Sequence, residues 1–202
     1  MDETDPSAIA FGTDGWRATL ETFTEPRVRL VGHAVAQYLA DESVDGPVAV
    51  GYDARETSPA FADALAEALA AHGRGVVLPE RDCPTPVLAW TVAAGDFAGG
   101  LMVTASHNPP EYNGVKFLPA DGAPALPAVT DAIEARLGET ETGEGTAGEI
   151  REAPLIERYL DHATAFVGSD LDGLSVAYDA MHGSGRGVTD ALLERAGADV
   201  VR

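Results

Sequence analysis

The sequence predicts an α/β protein: a mainly parallel, mixed sheet with helices on both faces, followed by an incomplete second α/β domain. Three observations carry that prediction. Short apolar runs of strand length alternate with longer segments whose apolar residues recur at helical spacing, the pattern of strands joined by helical crossovers. One run, Gly114–Leu118, follows its predecessor too closely for a crossover and should run antiparallel. After a polar stretch rich in Gly, Glu and Thr, residues 138–149, the alternation restarts and yields a single strand–helix–strand unit. The expected domains are residues 1–150 and residues 151–202.

The elements follow in order. From Thr24 to about Ala40, Val28, Val31, Val35 and Leu39 fall on one helical face, with Thr24 as the expected cap. Val48–Tyr52 is a buried strand. Ser58 and Pro59 open a helix bearing Phe61, Leu65 and Leu69, and Gly73 ends it. Gly75–Leu78 is the next strand, Pro86–Ala94 the next helix, and Gly100–Thr104 the strand before the antiparallel Gly114–Leu118. A helix is expected near Leu126–Leu137, and another from Pro154 to about Val167, where Leu155, Tyr159, Ala163 and Phe166 are in register. The last unit is strand Leu174–Tyr178, a glycine-rich turn, helix Val188–Ala196 and strand Ala198–Val201.

Composition narrows the function. At 202 residues the chain can bury one good core and a fragment of another. Thirty-three acidic residues against thirteen basic ones give a net charge of −20, and Lys116 is the single lysine. Because 45% of the residues are hydrophobic, this acidity signals a solvated acidic surface and not disorder. Such a surface keeps a protein soluble in concentrated salt, so a halophile's cytoplasm is the expected setting. Nucleic acid is excluded as a partner, since its phosphates need basic patches. An anionic ligand would need a locally positive site, although at molar salt the screening length shrinks to about 3 Å. No run of about eighteen apolar residues and no basic, apolar leader is present, so neither a membrane span nor secretion is expected. Cys83 is the only cysteine, which rules out an internal disulfide; with only Arg81 as a basic neighbour it reads as a packed, idle thiol.

The chemistry concentrates in Thr104-Ala105-Ser106-His107-Asn108-Pro109-Pro110-Glu111-Tyr112-Asn113-Gly114-Val115-Lys116-Phe117. The preceding Gly100-Leu101-Met102-Val103 has the character of a buried parallel strand. Asn108 and the two prolines forbid continuation as strand or helix, so Ser106 stands at the carboxyl end of a core strand, where open α/β sheets place their ligands. A hydroxyl, an imidazole (His107) and an ammonium (Lys116) within one loop suit phosphoryl chemistry as acceptor, proton carrier and charge stabiliser.

This segment resembles the active-site loop of the α-D-phosphohexomutases, the phosphoglucomutase/phosphomannomutase family. The resemblance extends to Phe11-Gly12-Thr13-Asp14-Gly15-Trp16-Arg17, to Gly51-Tyr52-Asp53-Ala54-Arg55 with Ser58, to Thr85-Pro86, and to Val176-Ala177-Tyr178-Asp179-Ala180-Met181-His182-Gly183. It implies that Ser106 carries a phosphoryl group in the resting enzyme and donates it to a hexose monophosphate, moving phosphate between C1 and C6 through a bound bisphosphate. It implies further that Arg17 contacts the phosphoserine region, that His107 or Lys116 transfers the proton, and that Mg²⁺ binds through the phosphoserine oxygen of Ser106. The family usually has glycine after the arginine; Ala18 stands here. The Pro109-Pro110-Glu111-Tyr112 run is closer to glucose and mannose enzymes than to glucosamine ones.

The resemblance also implies features without counterparts in residues 1–202. These are a loop of alternating aspartates that holds the metal, a loop that reads sugar hydroxyls, and a last domain that grips the distal phosphate. The chain alone is therefore expected to show little or no turnover. A partner chain supplying the missing domains would restore it, and the alternative is a non-catalytic truncated fragment or subunit.

Other motifs have plainer readings. Arg17 could be a surface arginine or pair with Asp14, and Asp53 with Arg55 reads as a structural pair at a strand end. Gly183-Ser184-Gly185-Arg186-Gly187 lacks the third glycine of a dinucleotide fingerprint, since Val188 occupies that position, and reads as a tight turn. Asp170 and Asp172 read as solvated. The five histidines show no ligand spacing, which argues against a metal-cluster phosphatase.

Overall fold

The structure is a computed structural model that describes residues 4–12, 15–142, 145–168 and 170–202. Thr13 and Asp14, and with them the alternative Asp14–Arg17 pair, lie outside the described residues. Eight strands and six α-helices follow one another among those described. They are β1 (Gly15–Thr19), α1 (Glu25–Asp41), β2 (Val48–Tyr52), α2 (Ser58–Ala71), β3 (Val76–Pro79), α3 (Thr85–Ala94), β4 (Gly99–Val103), β5 (Tyr112–Pro119), α4 (Pro127–Glu134), β6 (Ile150–Ala153), α5 (Leu155–Val167), β7 (Ser175–Ala177), α6 (Thr189–Arg195) and β8 (Asp199–Val201).

Six strands form one sheet in the order β1-β5-β4-β2-β3-β6. β2 pairs in parallel with β3 and β4, and β3 with β6, while β5 runs antiparallel to both β4 and β1. This is the mixed, mainly parallel sheet that the alternation predicts, and β5 has the expected direction. From β2 the chain crosses through α2 to β3 on one side. It then returns through α3, past β2, to β4 on the other. The connections after β2 and β4 thus leave in opposite directions, which opens a crevice at the carboxyl ends of these two strands.

Strand alternation assigns each face. Val48, Val50, Leu101, Val103, Val115 and Phe117 pack with Val31, Val35, Leu65, Leu69 and Ile133 under α1, α2 and α4. The residues between them, Ala49, Met102 and Leu118, meet Leu88 and Val92 of α3 on the opposite face. Val77, Cys83 and Val87 pack with Leu155 and Leu160, so α5 extends that second layer. All five residues of β4 are buried, as its apolar run requires.

Two strands escape the apolar-run criterion. β1 buries only Trp16, and β6 (Ile-Arg-Glu-Ala) buries none of its four residues. Both sit at the edges of the sheet, where one side of the strand meets water and polar side chains are tolerated. Thr24 occupies the cap position of α1 but makes no capping bond; its hydroxyl is buried without a partner. Gly73 ends α2 as expected, in the left-handed conformation with φ 77°.

β7 and β8 form a separate two-stranded parallel sheet joined by α6, with Val176 opposite Val200. Arg186, in the turn before α6, donates to both Asp82 oxygens at 2.7 and 2.8 Å, and Arg81 donates to the Arg186 carbonyl at 2.8 Å. No helix among the described residues is long and apolar enough to cross a membrane.

Candidate active site

β4 ends at Val103 and the chain turns at once. Ser106 sits at φ 59°, a left-handed conformation that costs a non-glycine residue roughly 1–2 kcal/mol. Local bonds hold it there. The Ser106 amide donates to Thr104 Oγ1 at 2.9 Å, and the Asn108 amide donates to the Ala105 carbonyl at 3.1 Å. Thr104 and Ala105 are buried, whereas Ser106 and His107 are exposed. The Ser106 hydroxyl and His107 Nδ1 lie 3.3 Å apart.

Ser106 opens into a cavity of about 790 Å³. The loop after β4 forms one wall; Asp53 to Thr57 after β2 form the second; Pro84, Thr85 and Pro86 before and within α3 form the third. Met181, His182, Gly183 and Ser184 of the second unit face them. Met181 and His182 are also left-handed, at φ 45° and 62°. The amino ends of α2 and α3 both open onto the cavity, so their partial positive charge favours an anion there. This offsets locally the acidity of the whole chain.

The predicted residues divide into two groups. Ser106 and His107 line the cavity together. Arg17 and Lys116 do not; they stand on β1 and β5, on the sheet face that carries Met102. Gly15 pairs with Lys116 and Arg17 with Gly114, and Lys116 lies beside Met102 of β4, itself a cavity residue. Gly114 is required at this point. A Cβ there would come within 2.7 Å of both Arg17 Cγ and the Thr104 carbonyl, so the arginine stem lies flat against β5 at the root of the Ser106 loop. Arg17 thus stands against the root of the loop, while Lys116 lies along β5 beside Met102.

The reading of Asp53 and Arg55 as a strand-end pair holds at 3.2 Å, but it understates the arrangement. Asp53 also accepts from the Ser58 hydroxyl at 2.7 Å, and Ser58 accepts from the Asn113 amide group at 3.0 Å. Asn113 closes the network by accepting from the Gly114 amide at 2.8 Å. Ser58 and Asn113 are fully buried, so these polar groups satisfy one another without water. Arg55 leaves this network for the Ser106 loop. The signal available in sequence was a charged Asp-x-Arg immediately after a buried strand, at the end where ligands bind.

Cys83 is buried, and burial pushes its thiol up to about 12, so it is inert as a nucleophile. Among the described residues no group of three or more His, Cys, Asp or Glu side chains is placed to hold a metal ion. The oxygen-rich shell that Mg²⁺ prefers is therefore not assembled by the described His, Cys, Asp and Glu side chains; a phosphate on Ser106 would add hard oxygens of its own.

Comparison with known proteins agrees with this geometry. The family profile "Phosphoglucomutase/phosphomannomutase, alpha/beta/alpha domain I" matches residues 8–144. A phosphoglucosamine mutase of Synechococcus sp. (strain CC9311) is 38% identical over 201 residues, covering 96% of this chain and 43% of that protein. A phosphoglucosamine mutase of Rhodococcus jostii (strain RHA1) is 37% identical over 199 residues, covering 95% of this chain and 44% of its own length. Among solved structures, a Thermus thermophilus protein described as a phosphomannomutase superposes with a TM-score of 0.83 at 34% identity, over 96% of this chain and 46% of that one. The chain thus spans less than half the length of these relatives. With the profile running from before β1 to beyond α4, and so across the whole Ser106 loop, the chain belongs to the phosphoglucomutase/phosphomannomutase family.

Proposed function

We propose that this chain supplies the phosphoryl-carrying part of a phosphohexomutase site, with Ser106 as the carrier. The observation that supports it most is the placement of Ser106. Its hydroxyl sits on a constrained loop at the carboxyl edge of the sheet, 3.3 Å from His107 Nδ1, in a cavity with two helix amino ends. In the forward half-reaction a hexose-phosphate hydroxyl attacks the phosphorus on Ser106. A new P–O bond forms to the sugar, the Ser106 Oγ–P bond breaks, the attacking hydroxyl loses its proton to a base, and the departing Ser106 Oγ takes up a proton to restore the hydroxyl. The return step reverses these events at the other sugar position. In this reading His107, which lines the cavity, or Lys116 on the adjoining strand carries the proton, and Arg17 and Lys116 offset the charge that a phosphoserine adds. Mg²⁺, when bound through that phosphate, would neutralise further charge.

The chain spans less than half the length of the relatives it matches, so the split-enzyme reading is tested with a second chain that carries a relative's remaining domains. Mixing the two should restore mutase activity, and failure to do so would count against a split enzyme. Sugar preference is a second open choice. The Pro109–Tyr112 run favours glucose or mannose, whereas the curated relatives are named for glucosamine. Competition among the three hexose bisphosphates as phosphoryl donors would decide it. The −20 charge suits a cytoplasm of concentrated salt, and the melting temperature should rise from dilute to molar KCl as self-repulsion is screened.

The decisive experiment is intact-mass analysis and peptide mapping after incubation with glucose 1,6-bisphosphate and Mg²⁺ in concentrated KCl. One phosphate is expected, on Ser106, and none on Ser106→Ala. Phosphate elsewhere, or none on the native chain, would refute the carrier role.

A further inference from the structure

We infer that Arg55 is a positioning residue whose guanidinium holds the Ser106 loop in its reactive shape, and that it is not a phosphate ligand; the consequence for chemistry rests on Ser106 being the phosphoryl carrier. The argument is a count of donors. An arginine has five N–H groups in a fixed planar fork. In Arg55, Nε donates to Asp53 Oδ2 at 3.2 Å. Nη1 donates to the carbonyls of Pro109 at 2.7 Å and Tyr112 at 3.0 Å. Nη2 donates to the carbonyls of Ser106 at 3.2 Å and Asn108 at 2.6 Å. All five donors are engaged, four of them on backbone oxygens of one loop.

The placement explains how the loop keeps a serine at φ 59° without a glycine. The Pro109-Pro110 pair supplies few amide donors of its own, because proline has no N–H. The carbonyls of Ser106, Asn108, Pro109 and Tyr112 therefore converge on one external cation instead of on a ladder. Asp53 fixes that cation from behind, through the Arg55 amide at 3.1 Å as well as the side chain, and Ser58 and Asn113 fix Asp53. The Arg55 side chain is only 15% exposed. It lines the cavity, yet a phosphate could recruit it only by displacing a loop carbonyl. A lysine would keep the charge opposite Asp53 but has three donors on one atom and cannot span four carbonyls.

The test compares the native full chain with Arg55→Lys and Arg55→Gln by amide hydrogen exchange and by the rate of Ser106 phosphorylation against donor concentration. In the native chain, the hydrogen-bonded amides of Ser106, Asn108 and Tyr112 should exchange slowly. Both variants should accelerate exchange across 105–112 by about tenfold or more while β2, β3 and β4 change little. Phosphorylation should slow at saturating donor with the half-saturating concentration unchanged. Unprotected loop amides in the native chain, unchanged loop exchange in the variants, or a uniform rise through the whole sheet would overturn the inference. A rise in the half-saturating donor concentration alone would overturn it too, since that marks a phosphate ligand. If the native chain takes no phosphate, the carrier reading fails while loop exchange still decides what Arg55 does.

Discussion

The six-stranded sheet and the two-stranded sheet hold their shapes by different means. β4 buries all five of its residues, and its neighbours place valine, leucine and phenylalanine side chains in layers above and below. β7 and β8 bury none, each showing only one partly covered residue between two exposed ones. Around the smaller sheet, Val188, Ala191 and Leu192 pack on Val77, Val87, Leu155 and Leu160, and ion pairs surround that small contact. Arg186 grips Asp82, Arg202 grips Asp190 and Glu194, and Arg195 reaches Glu157 and Asp161. The cavity lies between these two regimes. Ser106 and Arg55 belong to the apolar frame, whereas Met181 to Ser184 ride on the ion-paired unit. Ser106 therefore stands on the frame with the larger buried core, and the wall that faces it stands on the unit with the smaller one.

The sharpest way to break this comparison is to remove the same kind of mass from each sheet. Phe117 is 1% exposed and Val201 is 62% exposed. Phe117→Ala should cost about 3–5 kcal/mol, from lost transfer and the cavity left behind. Val201→Ala should stay within about 0.5 kcal/mol. Urea denaturation of the full chain measures both. Similar losses would mean that the second unit has a packing role its exposure hides.

A smaller effect tests the charges. Asp82 is nearly buried, with 9% of its side chain exposed, while Arg186 is 45% exposed. Asp82→Asn keeps the shape but removes the charge from a bidentate pair, and should cost roughly 1–3 kcal/mol, less than a fully buried pair because water screens the arginine. Hydrogen exchange should rise in residues 181–201 and hardly at all in β2, β4 and β5. An increase confined to the first sheet would show that Asp82 serves its own loop and not the unit it touches.

The same physical division decided what could be read from sequence. β2, β3, β4 and β5 were legible because central strands are apolar on both faces, and the direction of β5 followed from the short connection before it. β1 and β6 were not, because an edge strand such as Ile-Arg-Glu-Ala carries no apolar run. The placement of Ser106 and His107 together, just after a core strand, was legible. The span of Arg55 was not. Its loop partners are backbone carbonyls 51 to 57 positions away, and a carbonyl has no residue identity for a sequence to display. Asn113 was hidden for a related reason: its value lies in joining Ser58 to Gly114, which is apparent only once β5 lies beside the start of α2.

The smallest expected effect separates the two units by pH. His33 of α1 and His72 just beyond α2 meet with Nδ1 and Nε2 2.9 Å apart. Burial holds both below the ordinary 6.5, with the charge of His72 and Arg29 adding to the effect at His33 and that of Arg74 at His72. Neutral imidazoles share one proton in this contact, and charging both would set donor against donor beside Arg29 and Arg74. In the unfolded chain these histidines bind protons near pH 6.5, whereas in the fold they resist until lower pH, so the unfolded state binds more protons in between. Stability should therefore be unaffected by this pair above about pH 6.5 and decline as pH falls below it. His72→Gln should flatten that part of the profile. Because α1 and α2 clamp the large sheet, the acid-induced rise in hydrogen exchange should begin in these helices and not around β7 and β8. An identical slope in His72→Gln would show that other groups govern the acid side.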